Sequence, residues 1–174
     1  AGAWAMGIAD PDNFDPDACH KKVDEAAKNL RLELDMAKAV EDADVVVESM
    51  AEQEKAKIDF YKKLAPLMPA KTILVTNSSS LLPSTFARYT GRPDRYPAMH
   101  FANHIWKNNI AEVMAQSKTS KASFDAIMEF AKQIRMVALP VHKEKAGYLL
   151  NSMLIPFLFS AMDLYVNGIS DPQS

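Results

Sequence analysis

Two short apolar runs, Asp44-Val-Val-Val-Glu48 and Thr72-Ile-Leu-Val75, limit the folds open to this chain more sharply than anything else in it. Neither alternates apolar with polar residues, so each reads as a strand covered on both faces. Strands covered in this way belong to sheets flanked by helices. Such sheets are mostly parallel, because a helical crossover carries the chain from one strand to the next. Residues 51–67, between the two runs, have the period of that helix. Ile58, Tyr61 and Leu64 fall on one stripe, and Pro66 and Pro69 end it.

The flanking sequence repeats the theme. Leu30-Arg-Leu-Glu-Leu34 alternates, which predicts a half-buried strand, and a short helix follows over 36–43. Pro83 suits the first turn of a helix reaching Tyr89, and Gly91-Arg-Pro93 makes a turn. Strands are predicted over 98–102, 111–114 and 136–141. Between the last two, 120–134 is an amphipathic helix, with Ser120 as N-cap and Phe124, Ile127, Met128 and Ala131 on its apolar face. Strands alternating with helices give an α/β fold with a mostly parallel, doubly wound sheet. Gly147 then opens a long apolar helix.

The opening residues are unusual. Ala1-Gly-Ala-Trp-Ala-Met-Gly-Ile-Ala9 reads like the second half of a glycine-rich turn entering a helix, yet an acidic turn, Asp10-Pro-Asp-Asn-Phe-Asp-Pro-Asp17, follows at once. A βαβ unit places further strand and helix around such features, so segments are expected to be missing here. Alone, the turn argues only weakly for dinucleotide binding, because small residues open many helices.

Bulk properties exclude several classes. A formal charge of −2 at pH 7 gives no electrostatic pull toward nucleic acid or an anionic membrane. One cysteine, Cys19, rules out an intrachain disulfide and a cysteine-rich metal site, and suits a reducing compartment such as the cytoplasm or an organellar matrix. Its simplest role is a small apolar residue on a helix. The apolar stretch 146–169 is interrupted by Asn151, Ser152, Pro156, Asp163 and Asn167, which reads as a buried interface helix rather than a membrane span.

Three polar clusters stand at the ends of predicted strands, where open α/β sheets bind ligands. They are Glu48-Ser-Met-Ala-Glu52, Thr76-Asn-Ser-Ser-Ser80, and Met99-His-Phe-Ala-Asn103 with Glu112 beyond it. A strand-end histidine beside a carboxylate is the minimum equipment for acid–base chemistry: the imidazole titrates near neutrality and the carboxylate fixes its tautomer. Each piece has a plainer reading. A lone histidine is usually structural, Ser80 serves equally as a cap for the Pro83 helix, and Glu52, Glu54, Lys55 and Lys57 fit a solvated helix face.

Taken in order, the clusters together with Arg92-Pro-Asp-Arg95, Ala-Glu-Val113 and Lys145-Ala-Gly-Tyr-Leu-Leu-Asn151 resemble the 3-hydroxyacyl-CoA dehydrogenase family. The resemblance runs over about 30–172. It is strongest to the short members acting on 3-hydroxybutyryl-CoA, which share a tryptophan and paired asparagines after the histidine, here Trp106, Asn108 and Asn109. It implies a Rossmann-like NAD-binding domain over residues 1–145. Residues 146–174 would be the first helix of an all-α domain that completes the substrate site and forms a homodimer.

The resemblance also implies roles. His100 matches the catalytic base, Glu112 its partner, Ser79 a substrate contact near the nicotinamide, and Asn151 a holder of the reacting oxygen. Gly2, Asp10, Glu52, Lys57, Ser79 and Asn103 match cofactor positions, with Asp10 favouring NAD over NADP. The implied substrate is an acyl-CoA, with no metal, nucleic acid or membrane partner. Two departures stand out: His104 replaces a proline and adds a second acid–base candidate below His100, and Ala5 replaces the third fingerprint glycine. His20 and His142 read as surface residues. Rival readings are a dehydrogenase of a free hydroxy acid or sugar acid on the same scaffold, and a non-catalytic nucleotide-binding relative.

Overall fold

A computed structural model describes residues 15–173, so Gly2, Ala5 and Asp10 lie outside the described residues. Helix α1, Pro16–Lys28, starts where the Asp15 side chain accepts the amides of Asp17 and Ala18, and buries none of its residues. The strand expected over 30–34 does not form. Leu30, Leu32 and Leu34 are 70%, 90% and 104% exposed. An alternating segment becomes a strand only through a ladder, and no described strand lies beside it. Arg31 and the Asp35 amide both bond the Glu33 carboxylate instead.

Helix α2, Met36–Val40, capped by Asp35, leads into β1, Val45–Glu48. Helix α3, Glu54–Leu64, then returns the chain to β2, Ile73–Thr76. A single turn α4, Pro83–Phe86, and a 3-10 turn, Ala87–Tyr89, precede β3, Ala98–Phe101. Strand β4 is Ile110–Met114, α5 Lys121–Gln133, β5 Val137–Val141 and α6 Leu150–Val166. Ser120 caps α5 through the Ser123 amide, as its sequence predicts.

The sheet runs β1-β2-β3-β4-β5. Neighbours are parallel except β3 and β4. That exception follows from the connection: a parallel crossover needs about a dozen residues or more, and the loop between these strands is shorter. Leu74 and Val75 show how the sheet is covered. Adjacent strand residues face opposite sides. Leu74 joins the core of Tyr61, Leu64, Phe86 and Tyr96, whereas Val75 joins that of Met99, Val113, Ile127 and Ala131. Helix α3 therefore covers one face and α5 the other. The end strand β1 is covered less than its valines imply, with Val47 39% exposed. Arg92 donates to the carbonyls of Ala65, Met68, Pro69 and Thr72, tying the end of α3 to the start of β2.

Candidate active site

The strand ends are pinned together by polar side chains. The backbone N–H of Asn77 donates to the Glu48 carbonyl at 2.8 Å, and its side-chain Oδ1 accepts the Phe101 backbone N–H at 2.9 Å, so β1, β2 and β3 end in fixed relation. Below this, Glu48 is 2% exposed. Its Oε1 accepts from Lys57 Nζ at 2.7 Å and the Met50 amide at 2.6 Å, and its Oε2 from Tyr61 and Thr76 at 2.5 and 2.7 Å. Tyr96 donates to the Tyr61 hydroxyl. Burial, then the neighbouring Tyr96 and Glu48, push the Tyr61 hydroxyl upward.

Lys57, matched above to a cofactor contact, is 0% exposed and presents no ammonium to open space. Its charge is spent on Glu48, with Glu52 Oε2 farther off at 3.6 Å. Glu52 in turn clasps the turn after β2. Its Oε1 accepts from the Ser78 hydroxyl, the Ser80 amide and hydroxyl, and the Leu81 amide, at 2.5, 2.9, 2.9 and 3.3 Å. Partial burial opposes the carboxylate's charge, but these bonds outweigh it and hold the group at about 2. Ser80 thus bonds Glu52 and does not cap α4, whose N-cap is Leu82.

His100 and Glu112 occupy facing register positions on β3 and β4. Residues opposite one another on an antiparallel pair share a face. Here Nδ1 lies 3.0 Å from Glu112 Oε2. With Nδ1 committed to the carboxylate, Nε2 is left for a ligand. Glu112 is fully buried, and its other oxygen accepts the amides of Leu149 and Leu150 at 2.7 and 2.9 Å. One carboxylate therefore joins the histidine to the start of α6.

A cavity of about 660 Å³ opens beside this pair. Ser79, His100, Asn103 and Asn151 line it, as do the apolar Met153, Leu154 and Phe157 of α6. Four of the residues matched by resemblance thus meet in one space, and Glu112 stands behind them. His104 is not among the lining residues. It is exposed, in left-handed backbone at φ 57°, with its ring against the edge of Trp106. His20 and His142 are exposed. Sequence reasoning missed Tyr148, whose ring lies on the His100 imidazole with centroids 4.6 Å apart. It stands inside the string quoted for the resemblance, but no periodicity marks it.

The family model for the 3-hydroxyacyl-CoA dehydrogenase NAD binding domain matches residues 12–145. The 3-hydroxybutyryl-CoA dehydrogenase of Clostridioides difficile is 35% identical over 134 residues, 77% of this chain and 47% of that protein. The human mitochondrial hydroxyacyl-coenzyme A dehydrogenase is 30% identical over 146 residues, 84% of this chain and 46% of the other. The chain spans about half the length of these relatives. Among solved structures, a diketoreductase described in terms of dual catalysis of dicarbonyl compounds superposes with a TM-score of 0.83 at 50% identity, covering 90% of this chain and 54% of its own. An (S)-3-hydroxybutyryl-CoA dehydrogenase from Ralstonia eutropha, at 22% identity and TM-score 0.76, covers 90% and 60% and supports the fold. On this evidence the chain belongs to the 3-hydroxyacyl-CoA dehydrogenase family, within the part that is its NAD-binding domain.

Proposed function

We propose that this chain carries the cofactor-binding and acid–base machinery of an NAD-dependent oxidoreductase. The reaction interconverts an L-3-hydroxyacyl-CoA, 3-hydroxybutyryl-CoA in particular, and its 3-ketoacyl-CoA. The observation that carries this reading is the buried His100–Glu112 pair at a cavity also lined by Ser79 and Asn151. In the oxidative direction His100 Nε2 takes the proton of the C3 hydroxyl, and in reverse the imidazolium returns it. Glu112 lowers the cost of the charged ring. Ser79 and Asn151 hold the reacting oxygen, each donor lowering the barrier by on the order of 3 kcal/mol. The side chains of Met153, Leu154 and Phe157 suit the acyl chain.

Bound NAD supplies the hydride acceptor for C3. The residues present fit it: Ser79 and Asn103 offer polar groups beside His100, at the carboxyl ends of parallel strands where such sheets hold nucleotides. Glu52 shapes the turn presenting Ser79, and Gly2 and Asp10 are assigned to the pyrophosphate and adenosine ribose. Residues 1–145 form the NAD-binding domain in this reading, and 146–174 begin a helical domain through which two copies pair, in a reducing compartment such as the cytoplasm.

A second reading is favoured by the 50% identity to the diketoreductase: a substrate without CoA, a free hydroxy acid or dicarbonyl compound. Steady-state assays with NAD decide between them. The acyl-CoA reading expects kcat/KM for 3-hydroxybutyryl-CoA to exceed that for free 3-hydroxybutyrate, or for a free dicarbonyl compound in the reverse direction with NADH, by at least about tenfold, the discrimination of roughly 1.4 kcal/mol that remote binding readily supplies. Faster turnover of the free compounds would replace it with the second.

A further inference from the structure

Gly147 and Tyr148 both adopt left-handed backbone, at φ 81° and 49°. Glycine does so freely, but a bulky residue stays there only where its surroundings hold it. Tyr148 is held on two sides. Its ring stacks on the His100 imidazole, 4.6 Å between centroids and 21° between planes. Its hydroxyl donates to the Ser78 carbonyl at 2.8 Å, one residue before Ser79. On either side of it the backbone makes matching contacts: the Gly147 amide donates to the Ser79 carbonyl at 3.3 Å, and the Leu149 and Leu150 amides donate to Glu112. The side chain is buried, and burial first, then the charge of Glu112, pushes its hydroxyl upward. A neutral phenol with its proton committed to a carbonyl is poorly placed to act as an acid and well placed to hold its neighbours.

We propose that Tyr148 is a positioning residue, whose ring fixes the plane of the His100 imidazole while its hydroxyl fixes the turn that carries Ser79. This rests on the assignment of His100 as the base. The bond from Glu112 to Nδ1 restrains one atom of the imidazole and leaves the ring free to swing about that point. The stacked phenol removes the swing, so that Nε2 is aimed into the cavity. The same side chain then sets the spacing between the base and the serine that meets the substrate oxygen.

The test combines NMR of the whole chain with kinetics. In the unsubstituted protein, the ring protons of His100 should lie upfield of those of the exposed His20 and His142 and show nuclear Overhauser contacts to the Tyr148 ring. Tyr148→Phe keeps the ring and loses only the hydroxyl, so both signals should persist. Tyr148→Asn, a residue that tolerates left-handed backbone, should abolish both. Because misplacement by about 1 Å can cost on the order of 10²-fold, kcat should fall about tenfold or more in Tyr148→Asn, whereas Tyr148→Phe, which keeps the ring but frees the Ser79 turn from the hydroxyl, should lose a smaller factor, about two- to threefold. KM for NAD should stay within about twofold in both, since uniform binding is not what is lost.

Absence of the Overhauser contact in the unsubstituted protein overturns the proposal even if Tyr148→Asn fails to fold. Unchanged kcat in a folded Tyr148→Asn overturns it as well, and so does an equal loss in the Phe and Asn variants, which would leave the ring no part. Failure of the underlying assignment looks different. If His100→Gln keeps full activity the base has been misidentified, whereas an inactive His100→Gln beside an unimpaired Tyr148→Asn removes the positioning role alone.

Discussion

Lys57, Tyr61 and Leu64 stand at i, i+4 and i+7 on α3, so the inward stripe of that helix includes a lysine. A solvated helix face does not hold for Lys57, which is 0% exposed and whose helical position puts it with the core residues. What was not legible is its partner, because Glu48 meets it only once β1 and α3 pack. Removing one member of a buried ion pair leaves the other uncompensated. Lys57→Ala should therefore lose about 3 kcal/mol or more in urea unfolding, and the double change Glu48→Gln with Lys57→Met should recover much of it. Equal loss in the double variant would show that packing, not the stranded charge, dominates. Glu52 gives a pH signature. Its folded value is depressed to about 2 from an ordinary 4.5, so its contribution is present above 4.5 and is lost as pH falls toward about 2. The difference in Tm between the unsubstituted protein and Glu52→Gln should shrink across that window. A difference that stays constant would count against the clasp. By contrast the candidates His100, Glu112, Ser79 and Asn151 come from residue order and resemblance, and the fold brings them together; Tyr148 escapes that reading because its contact depends on left-handed backbone at Gly147 and Tyr148 that no sequence period encodes.

At the scale of elements, the strands with continuous apolar runs were legible to within a residue or two, as β1, β2 and β5 show. Only β2 is buried as its run implies; β1 and β5, at the two ends of the sheet, leave Val47 and Val137 exposed, so there the run marks the strand but not its covering. The failure at 30–34 has the opposite cause: alternation states which faces differ, but pairing requires a neighbour, and none of the described residues supplies one. Helix α3, Glu54–Leu64, starts and stops three residues inside the expected 51–67: Gln53 takes extended backbone at its N-cap, and the apolar stripe Ile58, Tyr61 and Leu64 lies wholly within it. The antiparallel β3–β4 pair places His100 opposite Glu112, and a one-residue slip would separate them to opposite faces. That register is the structural basis of the site.

In the whole molecule, α6 is an apolar helix that the other described residues leave uncovered. Met153, Leu154, Phe157, Phe159 and Tyr165 are 64%, 48%, 70%, 64% and 60% exposed. None of its residues is buried, although its sequence is apolar nearly all round. A helix of that kind is covered in its working state. Pairing of two helical regions would bury an obligate interface of more than about 2,000 Å². Sedimentation equilibrium at micromolar concentration should show a dimer, and Leu154→Asp should shift it to monomer. A single monomeric species for the unsubstituted protein would defeat the prediction, and a dimer insensitive to Leu154→Asp would move the interface elsewhere. None of the described helices is long and apolar enough to cross a membrane.

In the proposed reaction His100, braced by Glu112, moves the proton. Steady-state kinetics of His100→Gln with 3-hydroxybutyryl-CoA and NAD tests it most directly. A fall in kcat of about 10² to 10⁴ is expected, with NAD affinity nearly unchanged. Retention of more than about a tenth of the activity, about ten times what even the smallest expected loss would leave, would contradict it. If His104→Gln were inactive in the same assay, the role would pass to His104.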